Sequence, residues 1–150
     1  MVRWLGIDHG TKRIGIAAGS GRDGIASPLA VISARPADQA IADIRKLASQ
    51  YQAAGIVVGW PLNMDDSEGP QGKLARQLAR RLAAATKLDV RLWDERLSSF
   101  AADRILAGTS TRKKKKARQD AVAAATMLQD FLAVGGPESA PRPDEIDPQP

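Results

Sequence analysis

The sequence predicts an α/β domain built on one mixed sheet with helices on its faces, and three observations carry that expectation. The first 33 residues hold three β-leaning runs separated only by glycine-rich turns, the mark of an antiparallel meander. Gly55-Ile56-Val57-Val58-Gly59 is a short, continuously apolar run, as expected of a strand buried on both faces in a parallel arrangement. From Asp38 onwards, segments of helical period alternate with such strands, which calls for βαβ crossovers.

Residues 2–8 form the first expected strand, and Gly10-Thr11-Lys12-Arg13 turns the chain into a second over 14–18. Gly19-Ser20-Gly21-Arg22-Asp23-Gly24 is the next turn, followed by a third strand around 27–32, where Pro28 demands a strand start or an edge. Ile41, Ile44, Leu47, Ala48 and Tyr51 fall at helical spacing. After the strand at 55–59, a helix is expected over about 71–86, with Leu74, Leu78, Leu82 and Ala85 as its stripe. Residues 89–94 make the fifth strand. Ser98 or Ser99 can cap a helix over 99–107 that Gly108 closes. Residues 109–118 are expected as a basic loop, and 119–133 as the last helix, with Val122, Ala125, Leu128 and Leu132 buried.

A chain of 150 residues suits one domain, expected over 1–134. Residues 135–150 carry five of the nine prolines, four acids and one arginine, a composition that predicts a disordered tail. The remaining 1–134 hold 21 basic and 13 acidic residues, so the +5 of the whole chain becomes +8 on the body. That field favours a polyanionic partner or is simply a solvated basic surface. The absence of cysteine excludes disulfides, thiolate zinc sites and a thiol nucleophile, and the single histidine leaves little room for a histidine-based triad. No apolar run approaches the ~20 residues of a membrane span, and charge interrupts any signal-peptide core at the N-terminus. The expectation is a cytoplasmic protein with no membrane partner.

Several motifs have both a plain and a chemical reading. Gly19 to Gly24 matches G-x-G-x-x-G literally, but Ile25-Ala26-Ser27-Pro28 follows where the dinucleotide fingerprint needs a helix, so it reads as a hairpin turn. Asp8 closes an apolar strand, either as a turn residue or as a charge held for a partner. Asp94-Glu95-Arg96 ends the fifth strand at the sheet edge where ligands bind in such folds; the plain reading is local ion pairing. By alternation Trp93 and Glu95 share one face, Leu92 and Asp94 the other. Asp120 is either a first-turn acid favoured by the helix dipole or a third chemical carboxylate. Just before it, six of the seven residues 112–118 are basic (Arg112, Lys113, Lys114, Lys115, Lys116 and Arg118). Cations at a helix start oppose its dipole, a cost that a phosphate backbone would offset. Trp60 can stack on a base, whereas Trp4, Trp93 and His9 read as structural.

Leu5-Gly6-Ile7-Asp8-His9-Gly10-Thr11-Lys12-Arg13-Ile14-Gly15-Ile16-Ala17 resembles the opening of the YqgF/RuvX family of pre-16S rRNA nucleases, relatives of the Holliday-junction resolvases. The likeness continues through Val57-Val58-Gly59-Trp60-Pro61-Leu62, Asp94-Glu95-Arg96-Leu97-Ser98-Ser99, Asp120-Ala121-Val122-Ala123-Ala124 and Leu128-Gln129-Asp130-Phe131-Leu132, in order, over about residues 3–133. His9, Asp66 and Ser99 depart from the usual pattern, and none of these departures removes a carboxylate.

The resemblance implies a ribonuclease-H-like sheet in the order 3-2-1-4-5 and catalytic acids at Asp8, Glu95 and Asp120. These would hold Mg²⁺ or Mn²⁺, hard cations that carboxylates suffice to bind. Asp94 stays open as a rival to Glu95. The implied activity is hydrolysis of phosphodiester bonds in RNA, as in processing the 5′ end of pre-16S rRNA, or in branched DNA, with ribosomal particles as possible partners. Lys12, Arg13, Trp60, Arg96 and the basic run at 112–118 would bind the nucleic acid. The rival expectations are a non-catalytic RNA-binding or ribosome-assembly factor and an actin-like ATP-binding module, the latter disfavoured by length.

Overall fold

A computed structural model describes residues 2–21, 24–97 and 112–146, with the backbone alone at 112–120. Among the described residues, five strands and three long helices follow one another as β1 (Arg3–His9), β2 (Arg13–Ser20), β3 (Ile25–Ser33), α1 (Ala37–Gln50), β4 (Gly55–Trp60), α2 (Pro70–Thr86), β5 (Asp89–Asp94) and α3 (Arg112–Ala133). The helix expected over 99–107 lies outside the described residues.

The strands form one sheet in the order β3-β2-β1-β4-β5, as the resemblance implies. β1 is antiparallel to β2, and β2 to β3, while β4 runs parallel to both β1 and β5. β1 is therefore central, and Trp4 to Asp8 are all buried. Pro28 lies in the edge strand, beside the irregularity opposite Ile16 and Ala17, where a missing N–H leaves no gap in the ladder.

Alternation along the strands divides the core into two layers. Leu5, Ile7, Ile56, Val58, Val90 and Leu92 pack with Ile44 of α1 and Leu78 and Leu82 of α2 on one face. Trp4, Val57 and Trp93 pack with Ala124, Leu128 and Phe131 of α3 on the other. Phe131 lies 5.0 Å from Trp4 and 6.0 Å from Trp93 between ring centroids, so both tryptophans are core residues. The buried side of α3 centres on Ala124, Leu128 and Phe131, whereas Val122 and Leu132 are only partly buried. That is a rotation away from the expected stripe. Small residues explain it: a Cβ on Gly6 would sit 2.8 Å from Leu128 Cβ and 3.0 Å from the Ala124 carbonyl oxygen, so the alanine-rich side approaches the sheet most closely.

Two further expectations are corrected. The basic run is not a loop, because α3 already begins at Arg112. Lysine, arginine and alanine are all good helix formers, and that propensity outweighs the unfavourable dipole. Nor is the tail disordered throughout. Short 3-10 turns at Gly136–Ser139 and Pro143–Glu145 carry it along β5. There Leu92 N–H donates to the Pro141 carbonyl at 2.9 Å and the Arg91 guanidinium to that of Ala140 at 2.9 Å. Ala140 and Pro143 are buried, and Ile146 packs against the core. Proline's missing N–H costs neither of these bonds, since the tail contributes only carbonyls to them.

Candidate active site

The three parallel strands β1, β4 and β5 end side by side, and their carboxyl ends carry Asp8, Gly59 and Asp94-Glu95. Asp8 follows Ile7, which is in register with Val58, and Gly59 pairs with Trp93. Asp8 continues the Trp4–Gly6 side of β1, the face that α3 covers, and is only 8% exposed. A carboxylate so enclosed, at the end of the central strand, needs compensating charge or hydrogen bonds.

Glu95 opens a 3-10 turn (Glu95–Leu97) and folds back over β4. A Cβ built on Gly59 would stand 2.5 Å from Glu95 Oε1 and 3.2 Å from its Cδ and Cγ. The carboxylate thus occupies the space that the glycine leaves open. β1 and β5 lie two strand spacings apart, about 10 Å, and an acid above β4 closes about half of that gap towards Asp8.

Asp94 points to the other face and serves another purpose. Its carboxylate accepts from Arg96 Nε at 3.0 Å, Arg96 Nη2 at 2.7 Å and the Arg96 backbone N–H at 3.0 Å. Burial opposes ionisation of Asp94, yet the hydrogen bonds and charge of Arg96 outweigh it and hold the carboxyl below its ordinary range. The same guanidinium reaches the loop after β4, donating to the Asn63 carbonyl at 2.9 Å and pairing with Asp66 at 2.8 Å. Its own pKa is raised by these bonds, first those to Asp94 and then those to Asp66. Arg96, expected to bind nucleic acid, is engaged as a clamp between the end of β5 and the 61–69 loop.

Trp60 is likewise engaged. Its indole N–H donates to Glu68 at 2.9 Å, and the ring packs against the α1/α2 core layer. Glu68 also receives a two-pronged bond from Arg76 of α2, with Nε and Nη2 both at 2.9 Å. The hydrogen bond from Arg76 chiefly, and then that from Trp60, depress the pKa of Glu68. Sequence reasoning missed Glu68 and Arg76. The available signal was an arginine among the apolar positions of α2, Ala75, Leu78, Ala79 and Leu82, where a charge requires a partner.

Asp120 lies in α3 one turn before Ala124, the residue whose carbonyl approaches Gly6. From Gly6 to Asp8 the strand advances about 6.6 Å, and four helical residues span about 6 Å, so the backbone brings position 120 to the level of Asp8. The side chains of Arg112 to Asp120 lie outside the described residues, as does any ligand set that includes Asp120. Among the described residues, no three histidines, aspartates or glutamates are grouped as a metal site. Lys12 is exposed and Arg13 partly buried on the turn that follows Asp8. Among the described residues no helix is long and apolar enough to cross a membrane.

A mixed five-stranded sheet with acids at the ends of its central strands defines a class, and comparison with known proteins identifies the family within it. Solved structures of similar fold include a Thermus thermophilus RuvC bound to a Holliday junction substrate, with a TM-score of 0.60 at 14% identity over 90% of this chain and 97% of that one. The fowlpox virus Holliday junction resolvase is another, with a TM-score of 0.51 at 11% identity over 89% of this chain and 99% of that one. The fold is that of the ribonuclease-H-like resolvases. The RuvX family, described as Holliday junction resolvase, matches residues 2–134, and the chain belongs to this family. Among curated relatives, a protein of Rhodobacter capsulatus is 43% identical over 128 residues, covering 85% of this chain and 80% of that one. One of Chloroflexus aurantiacus is 40% identical over 129 residues, covering 85% and 84%. Both carry the name "Putative pre-16S rRNA nuclease".

Proposed function

We propose that this protein is a cytoplasmic, divalent-metal-dependent nuclease that hydrolyses phosphodiester bonds in RNA, with the 5′ end of precursor 16S rRNA, on ribosomal particles, as its substrate. The observation that carries the proposal is the approach of Glu95 over Gly59 towards Asp8. On this reading Glu95, from the turn after β5, and Asp8, at the end of β1, share the face that α3 covers. Such a donor set fits Mg²⁺ or Mn²⁺, which need oxygen ligands and neither cysteine nor histidine. When bound, two such ions supply an activated water and neutralise charge developing on phosphorus and the leaving oxygen.

The chain's own residues set up that chemistry. Asp8, at the end of the central strand, would hold the metal ions together with Glu95 and Asp120. Gly59 keeps the space above β4 open for the Glu95 carboxylate. Asp94, held by Arg96, fixes the strand end from which Glu95 departs and ties it to the 61–69 loop. Lys12, Arg13, Lys113 to Lys116, Arg112 and Arg118 hold the phosphate backbone, a role that the +8 body supports. Arg96 and Trp60 contribute through the loop they secure.

The test is a cleavage panel over single-stranded RNA, precursor 16S rRNA ends and four-way DNA junctions, with Mg²⁺, with Mn²⁺ and with chelator. Metal-dependent cutting of the precursor RNA is expected. Cutting of junctions alone would move the substrate to branched DNA, and RNA binding without cleavage under any metal would make the protein a binding factor.

A further inference from the structure

On the face of the sheet opposite the acids, a cavity of about 220 Å³ opens beneath the β1–β2 turn. Its floor is apolar, formed by buried Ile14, Ala34, Ala40 and Leu78 from β2, the segment before α1, α1 and α2, with exposed Leu74 at its rim. Polar groups gather at the mouth: Thr11, Gln77, Arg35 and Arg81. The acids of the proposed active site are not among its lining residues. His9 and Gly10, which directly follow Asp8, form part of its wall.

We propose that this cavity binds a nucleotide unit, with the base on the apolar floor and the phosphate on Arg35 and Arg81. An apolar cavity of about 150 Å³ holds a benzene ring, so this one has room for a larger planar heterocycle. A largely apolar pocket with a few convergent polar groups is the usual form of a small-ligand site. Gln77 and Thr11 offer donors and acceptors suited to a base edge. Two guanidiniums give the mouth a positive balance, with exposed Lys12 on the same turn. Asp38 pairs with Arg81, but both are substantially exposed, at 91% and 48% of their side chains, and a surface pair of this kind yields readily to a phosphate.

The same chemistry has two sources, a free nucleoside monophosphate or one unpaired nucleotide of a bound strand, and the inference stands apart from the nuclease reading. The experiment is amide chemical-shift mapping of the ¹⁵N-labelled full chain with AMP, adenosine, ribose 5-phosphate and a single-stranded RNA oligonucleotide. AMP should shift the amides of Thr11, Ala34, Leu74 and Gln77 and bind more tightly than adenosine or ribose 5-phosphate. The double variant R35Q/R81Q should weaken AMP about tenfold and leave adenosine unchanged. Its dispersed amide spectrum serves as the check on folding, and the wild-type ligand series stands as a test without it. If AMP leaves these amides still but the oligonucleotide shifts them, and R35Q/R81Q weakens that oligonucleotide, the occupant is a nucleotide of the strand. If neither ligand moves them, or R35Q/R81Q leaves both affinities unchanged, the proposal is overturned. Metal-dependent cleavage by wild-type protein would then still stand, so the two readings fail separately.

Discussion

Gly59→Ala isolates the geometry of the candidate site from the stability of the sheet. The added Cβ would stand 2.5 Å from Glu95 Oε1, where ordinary contact begins at 3.4 Å. The carboxylate must therefore retreat by about 1 Å. The obstruction is the far end of a flexible side chain rather than backbone, so the strand accepts the methyl group while Glu95 moves. Replacing glycine within a strand gains up to about 1 kcal/mol, so the melting temperature should hold or rise slightly. Activity should not hold, because a displacement of about 1 Å at a reacting centre costs on the order of 10²-fold. Steady-state cleavage of precursor RNA at saturating Mn²⁺, read beside a thermal melt, measures both. Glu95→Gln should lower the rate at least as far, and adding Gly59→Ala to it should change little more. Wild-type turnover by a folded Gly59→Ala protein would refute the reasoning.

Gly6→Ala should act oppositely, since its Cβ meets Leu128 Cβ at 2.8 Å and backbone at 3.0 Å; a loss of about 1–3 kcal/mol in denaturant melts is expected. Glu68→Gln should cost about 3 kcal/mol at neutral pH, because it leaves Arg76, with a side chain 8% exposed, without its counter-charge. The depressed pKa of Glu68 means that its stabilisation is present above its ordinary value of 4.5 and is lost as pH falls below it. The variant's stability should therefore fall less steeply than wild type over that acid range in urea melts. Arg96→Ala should release the 61–69 loop from β5, seen as faster amide exchange at Asn63 and Asp66, with reduced cleavage. Neutralising Lys113 to Lys116 should weaken RNA binding and flatten its salt dependence; an unchanged slope would return the run to a solvated surface.

The strands were legible because burial on both faces leaves a continuous apolar signature, as in Ile56-Val57-Val58, and turn glycines punctuate the rest. Alternation puts Asp94 and Glu95 on opposite faces, but it leaves open which of them fills the space beside Gly59. What was not legible rests on contacts between residues distant in sequence. The clamp of Arg96 on Asn63 and Asp66 joins a strand end to a loop about 30 positions away, and no local pattern marks it. The α3 start was not legible because a run of cations carries no apolar period to mark a helix, although lysine and arginine favour one. The tail was misread because composition cannot reveal that β5 offers an unpaired edge for its carbonyls to cover.

The most direct test of the central claim is cleavage of precursor 16S rRNA by Asp8→Asn protein, with RNA binding measured in the same low-salt buffer. Loss of metal-dependent cleavage with binding kept or strengthened is the predicted result. Wild-type cleavage by a clean, folded Asp8→Asn preparation would contradict the account.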